Sequence, residues 1–152
     1  MYSTKLKEVR LTVPDRTGSQ AVYFPLRGLE KVWIGGASDE FIEILCRNNM
    51  NLQSIEIWYG SSLTAVSMTH LATLQHLTNI SFYGQSDPTS LLSFLRNRAS
   101  RPKNLELLVC HIHSKDPQEM IDLKQEIERQ KLEDASFISV TYTDFNGRQF
   151  LV

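Results

Sequence analysis

Two histidines one residue apart, His111 and His113, have the spacing in this sequence that best suits a metal ion. Residues two apart on a β-strand point to the same face, so both imidazoles could approach one ion. A zinc site needs at least three protein ligands, and no third ligand follows at a recognisable spacing. We therefore expect no metal and no other cofactor.

The remaining candidates for catalysis lack the residues that their chemistry needs. Cys46 and Cys110 occupy apolar periodic positions, where a thiol stays protonated and inert. Gly35-Gly36 precedes a predicted helix, as in phosphate-binding loops, but no Gly-Lys-Ser/Thr continuation follows. Gly60-Ser61-Ser62 has no second glycine to form a nucleophile elbow. We predict that the chain is not an enzyme.

Acidic residues that could act as general acids or bases stand instead where helices should begin. Asp87-Pro88 and Asp116-Pro117 each place a carboxylate immediately before a proline. At such an N-cap the side chain accepts hydrogen bonds from backbone N–H groups of the first turn. Proline at the first helical position costs no hydrogen bond, because an N–H there would have no partner inside the helix. Ser38-Asp39-Glu40 is the equivalent segment of an earlier helix. These residues predict helix caps rather than a pair of catalytic carboxylates.

The composition narrows the classes of function. The 152 residues carry a formal charge of −1 and no run of Lys and Arg, so we expect no nucleic-acid partner. No apolar run reaches the roughly 20 residues that cross a bilayer, and the first residues lack the apolar stretch of a signal peptide. Two cysteines without a partner spacing predict free thiols. We expect a cytoplasmic or nuclear protein with no membrane contact.

One phrase, apolar-x-x-apolar-x-apolar, recurs along the chain. Its starts, near residues 6, 29, 52, 77 and 105, are 23, 23, 25 and 28 residues apart. Alternation typical of a strand follows each start, and apolar residues at helical spacing come next. A period in the twenties predicts a stacked array and fits leucine-rich repeats. The five copies are Leu6-Val9-Leu11, Leu29-Val32-Ile34, Leu52-Ile55-Ile57, Leu77-Ile80-Phe82 and Leu105-Leu108-Cys110.

This pattern predicts an α/β fold in a single domain over residues 1–152. We expect a leucine-rich-repeat solenoid of about five to six repeats, with a parallel β-sheet on the concave side and helices on the convex side. The first unit departs from the pattern, because residues 14–28 contain two prolines and two glycines and no helical period. We expect an irregular connection there.

The last unit allows two registers. Phe137-Val140-Tyr142 restores the phrase with a sixth start near residue 137, and we favour it. Leu132-Ala135-Phe137 keeps a spacing of 27 but puts alanine in the core. Asn146-Gly147 then suits a two-residue hairpin turn, since both positions need φ > 0. Residues 138–152 are therefore predicted to form a hairpin that caps the array.

A family resemblance supports the same fold. Residues 38–57 read SDEFIEILCRNNMNLQSIEI, and the Asn-Leu junction at 51–52 returns in Pro102-Lys103-Asn104-Leu105. This segment resembles the cysteine-containing leucine-rich repeats of F-box proteins. The resemblance implies substrate recognition for a ubiquitin ligase. The chain departs from that pattern at Asn49, where the family has its cysteine, and no F-box segment lies within the 152 residues.

Residues between the core positions of each strand should face outward on the concave sheet. Trp58, Tyr83 and His111 fall in one column of that face, and Trp33 falls in the neighbouring column. An exposed Trp/Tyr patch is typical of a protein-binding hot spot. The predicted partner-binding residues are Trp33, Glu56, Trp58, Tyr83, Val109 and His111.

Two alternatives leave these aromatics without a partner. They could pack under a loop, a terminus or a neighbouring segment of the parent protein. A register wrong by one residue would instead send both tryptophans into the core.

We therefore expect a non-catalytic protein-interaction module that binds a protein or peptide on its concave face. The family resemblance implies that this module is the recognition part of an F-box-like adaptor. The alternative is a structural subunit, or a repeat segment excised from a longer protein, that is permanently packed in a larger complex.

Overall fold

A computed structural model describes residues 6–12, 27–62, 64–98, 105–112, 116–133, 136–143 and 148–151. Strands and helices alternate along most of this part of the chain. Their bounds are β1 Glu8–Thr12, β2 Lys31–Gly35, α1 Asp39–Asn48, β3 Ser54–Ser62, α2 Ala65–Ala72, β4 Asn79–Ser86, α3 Pro88–Asn97, β5 Glu106–Ile112, α4 Pro117–Glu133, β6 Phe137–Thr143 and β7 Gln149–Leu151.

The strands form one sheet in chain order. β1 to β6 are parallel to their neighbours, and β7 pairs antiparallel with β6. Parallel neighbours need a crossover, and the helices α1 to α4 supply the described ones. Each helix packs against the next, α1 on α2, α2 on α3 and α3 on α4. The predicted α/β class with a parallel sheet is therefore confirmed.

The core lies between the sheet and the layer of helices. From β2 to β4 the register aligns Val32, Ile55 and Ile80 in one row of core residues. A second row of core residues lies two positions further along each strand. All are buried, and Leu29, Leu52 and Leu77 are buried just before their strands. Between β2 and β4 the repeated phrase therefore marks the buried residues correctly. The second row consists of Ile34, Ile57 and Phe82.

Side-chain caps begin the helices at all three predicted starts, and at the start of α4 Asp116 accepts the backbone N–H of Gln118 at 2.9 Å. Ser38 accepts the backbone N–H of Phe41 at the start of α1, and Asp87 accepts that of Ser90 at 2.8 Å at the start of α3. Thr64, which the sequence analysis did not single out, caps α2. These bonds satisfy N–H groups that have no partner inside the helix.

Asn49 joins two consecutive units through its buried side chain. Its Oδ1 accepts the N–H of Leu29 at 2.8 Å, and its Nδ2 donates to the carbonyl of Leu45 at 2.9 Å. The residue follows α1, so one amide both satisfies a carbonyl of the helix end and holds the chain that enters β2. The position where the resembled family has cysteine thus carries a structural hydrogen-bonding role here.

Ser136 makes the corresponding tie near the other end of the sheet. Its Oγ accepts the N–H of Leu105, the residue before β5, at 3.1 Å. Buried Arg98 donates to the same oxygen and to Oε1 of Gln130, both at 3.3 Å. These bonds connect the end of α3 with α4 and β6.

The fifth unit differs from its predicted register by one residue. β4 pairs Ile80 with Leu107 and Phe82 with Val109, where the phrase had predicted Leu108 and Cys110 as the core positions. Leu105 is buried immediately before the strand, at the position that Thr78 holds one unit earlier. The cause is the run of apolar residues at 107–110, which supports either alternation. A slip of one residue exchanges the two faces of a strand.

The sixth unit contradicts both of its predicted registers. Phe137 is 68% exposed and Leu132 is 86% exposed, so neither residue starts a core phrase. Ile138 and Val140 are buried instead, beside Leu107 and Val109 in the ladder. Val140 is buried, as the favoured phrase predicted.

β6 and β7 form the predicted antiparallel hairpin, with Thr143 paired to Gln149. The turn residues Asn146-Gly147 lie outside the described part of the chain, as do 13–26 of the predicted irregular connection and His113.

Candidate functional site

The candidate site is the outer face of the sheet, defined as the face opposite the helix layer on β1 to β6. Alternate residues of each strand belong to it, because successive side chains point to opposite faces. The ladder arranges them in rows that cross the strands. One row runs Glu8, Lys31, Ser54, Asn79, Glu106 and Phe137, and the next runs Arg10, Trp33, Glu56, Ser81 and Leu108.

Two aromatic rings stack in the third row of the outer face. Trp58 on β3 pairs with Tyr83 on β4, as predicted, and their ring centroids are 4.4 Å apart with an interplanar angle of 21°. Trp58 is nonetheless 38% exposed. On the β2 side its neighbour is Gly35, which has no side chain. The stack is therefore a rigid apolar surface that remains accessible in part.

A second aromatic contact lies one row away. The Arg10 guanidinium sits over the ring of half-buried Trp33, with Cζ 5.1 Å from the ring centroid. This distance is within the range of a cation–π interaction. Arg10 is not among the predicted partner-binding residues. The repeat itself indicates this position, because Arg10 lies 23 residues before Trp33, which lies 23 residues before Glu56.

Glu56 lies between these two aromatic groups. Trp33 is its neighbour across β2, and Trp58 follows two residues along β3 on the same face. The side chain is half-buried, and it has no ion pair or hydrogen bond to any residue that the structure describes. The outer face thus brings together Trp33, Glu56, Trp58 and Tyr83 of the predicted site.

The other two predicted residues occupy different places. Val109 pairs with Phe82 and Val140 in the ladder, one residue away from its predicted register. His111 pairs with Gln85 and not with Tyr83. An irregularity between Phe82 and Gln85 shifts the ladder there, and the predicted column of Trp58, Tyr83 and His111 ends at Tyr83.

Comparisons with protein-family models, with curated proteins and with solved structures give no significant match.

Chemistry of other kinds has little support from the described residues. Within 6–12, 27–62, 64–98, 105–112, 116–133, 136–143 and 148–151, no group of three His, Cys, Asp or Glu side chains could hold a metal ion. Cys46 is buried, and this burial raises the pKa of its thiol to about 12, so the thiolate nucleophile is not available. None of the helices in this part of the chain is long and apolar enough to cross a bilayer.

A groove of about 520 Å³ lies between α2 and α3 in the helix layer. Uncharged side chains line it, among them Ala65, Met68, Ser90 and Phe94. No titratable group is among the lining residues, so the groove provides no acid, base or ionic contact. The outer face of the sheet remains the stronger candidate.

Proposed function

We propose that this chain is a non-catalytic protein-interaction module whose outer sheet face binds a protein or peptide. The observation that carries the proposal is the stacked pair Trp58 and Tyr83, which lies opposite the core and is 38% exposed at Trp58. Large aromatic rings offer contact area at low conformational entropy cost, and interface hot spots are enriched in them.

The more specific form of the proposal is a leucine-rich-repeat solenoid of about five to six repeats that recognises substrates for an F-box-like adaptor. The sequential parallel strands and the successive helices support the repeat array. The adaptor role is supported only by the resemblance of residues 38–57. If it is correct, the partner captured by the outer face is a ubiquitination substrate.

An alternative is a structural subunit that is permanently covered by another chain. It is favoured by apolar side chains near the last strands, where Phe137 is 68%, Leu151 76% and Leu132 86% exposed. Exposed apolar patches of this kind mark interfaces or lead to aggregation. A chain that is monomeric in sedimentation experiments, with tryptophans that iodide quenches, favours the module. Self-association favours the subunit.

Affinity capture with the purified chain tests the module directly. Immobilised wild type and the variant Trp58→Ala/Tyr83→Ala are incubated with the same cell extract, and retained proteins are quantified by mass spectrometry. Leu132→Ala is the matched control, because it removes an exposed apolar side chain far from the stack in sequence. We expect at least one protein whose retention falls only with the aromatic variant. Equal retention by all three chains contradicts the proposal.

A further inference from the structure

Among the residues that the structure describes, Glu56 is the charge without a partner at the centre of the outer face. The other described charges there have partners: Lys31 is 2.9 Å from Glu8, Glu106 accepts from Asn79 at 2.6 Å, and Arg10 lies over Trp33. No described residue pairs with Glu56. Within the described part of the chain, the face therefore carries a negative charge that no side chain neutralises between its aromatic groups.

The surroundings of this carboxylate suit a planar cation. Neighbouring strands are about 4.8 Å apart, so Trp33 stands directly beside Glu56, and Trp58 is about 7 Å along the strand. Indole faces attract cations, and partial exclusion of water strengthens both this attraction and the attraction to a carboxylate. Arg10 on Trp33 shows that this face already holds one guanidinium against an indole ring.

We propose that Glu56, flanked by Trp33 and Trp58, receives an arginine side chain of the protein partner. This inference rests on the proposed function of the outer face. A guanidinium can donate two N–H groups to one carboxylate while its plane lies on an aromatic ring. An ammonium group is a point charge and makes neither contact as well, so arginine fits better than lysine. An anionic partner is disfavoured, because Arg10 and Lys31 are already engaged.

A displayed library of random peptides tests this without knowledge of the natural partner. The full wild-type chain is the bait, and the parallel baits are Glu56→Gln, Glu56→Lys and Trp58→Ala/Tyr83→Ala. Glu106→Gln is the matched control, since it neutralises a carboxylate on the same face that already has a partner. We expect wild type and the control to enrich peptides with arginine at one position. Glu56→Gln loses that enrichment, and Glu56→Lys replaces it with Asp or Glu.

The best selected peptide is then synthesised and its affinity measured by calorimetry. Glu56→Gln should weaken binding about 10- to 100-fold, as does replacement of the peptide arginine by citrulline. Added salt should weaken binding to wild type more than binding to Glu56→Gln.

Several outcomes would overturn the inference. Equal enrichment of lysine overturns the assignment to arginine. Selected peptides without a basic residue, whose binding needs Trp58 and Tyr83 but is unchanged by Glu56→Gln, overturn the cation site while the proposed function stands. If wild type enriches nothing beyond the Trp58→Ala/Tyr83→Ala bait, both proposals fail. Circular dichroism of each bait confirms that the substitutions leave the fold intact.

Discussion

The two faces of the same strands differ in how strictly their residues are repeated. On the core face, Ile34, Ile57 and Phe82 follow one another across the sheet, and all three are buried. On the outer face, the adjacent row changes from Arg10 to Trp33 to Glu56. Each strand must fill the same space against the helices, so packing fixes the first set. Packing does not fix the outer-face residues, so their identities are free to serve a specific function such as binding.

Adjacent substitutions on β3 should separate the two faces most strongly. Ile57→Ala deletes a fully buried side chain and should lower the free energy of unfolding by about 2–5 kcal/mol. Trp58→Ala removes a larger but partly exposed side chain and should cost less than about 1.5 kcal/mol. Urea unfolding followed by circular dichroism measures both. Ile57→Val, with a loss of about 0.5–1.5 kcal/mol, is the conservative control. A greater loss at Trp58 than at Ile57 would reverse the assigned faces.

Asn49 tests the polar part of the core side. Asn49→Ala leaves the buried N–H of Leu29 and the carbonyl of Leu45 without this amide, and should cost about 1–3 kcal/mol. Asn48→Ala is the control, because no side-chain hydrogen bond of Asn48 to a described residue is present. The same urea titration measures both variants. Equal losses at 48 and 49 would show that the Asn49 amide contributes nothing specific.

The core face could be predicted in strands where apolar and polar residues alternate, because only one set of positions is then apolar. In β2, β3 and β4, polar or small residues separate the aliphatic ones, so only one set of positions can be buried. In β5 the run Leu107-Leu108-Val109-Cys110 is apolar at every position, and either set can be buried. The structure resolves this through the buried Leu105 and the tie from Ser136, both of which depend on contacts between units.

The outer face could be predicted only as far as the register held. Trp33, Glu56, Trp58 and Tyr83 lie where the repeat placed them, whereas Val109 pairs with Phe82, one residue away from the predicted register. The ladder irregularity after Phe82, which moves His111 beside Gln85, has no evident signal in the sequence. Asn49 had a partial signal, since it stands where the resembled family has another residue.

The stack of Trp58 on Tyr83 should contribute a modest coupling energy on the outer face. In a double-mutant cycle with Trp58→Leu, Tyr83→Leu and the double variant, we expect a coupling of about 0.5–1.5 kcal/mol. Thermal or urea unfolding provides the four free energies. Strictly additive losses would mean that the rings do not stack in solution.

Asp39 should make the smallest contribution, and one that depends on pH. Its partial burial acts to raise the pKa of its carboxyl, but hydrogen bonds from Ser67 and from Thr64 outweigh this and hold the pKa below its ordinary value of 3.8. The contribution is therefore complete above the unfolded pKa and is lost as the pH falls through the lower folded value. Since Asp39 is only partly buried, solvent screens its charge and the effect should stay below about 1 kcal/mol.

Comparison of wild type with Asp39→Asn across pH measures this. The wild type should be the more stable chain at neutral pH, and the difference should shrink once the solution is more acidic than the folded pKa. A difference that grows on acidification would contradict the assigned direction of the shift.

Thiol labelling along β3 tests the central claim most directly, namely that Glu56 and Trp58 lie on the face opposite the core. The variants Glu56→Cys, Ile57→Cys and Trp58→Cys are each treated with N-ethylmaleimide under native conditions, and the modified peptide is located by mass spectrometry. We expect rapid modification at positions 56 and 58, and protection at 57 until the chain is unfolded. Rapid modification at 57 with protection at 56 and 58 would place the aromatic residues in the core and contradict the proposed binding surface.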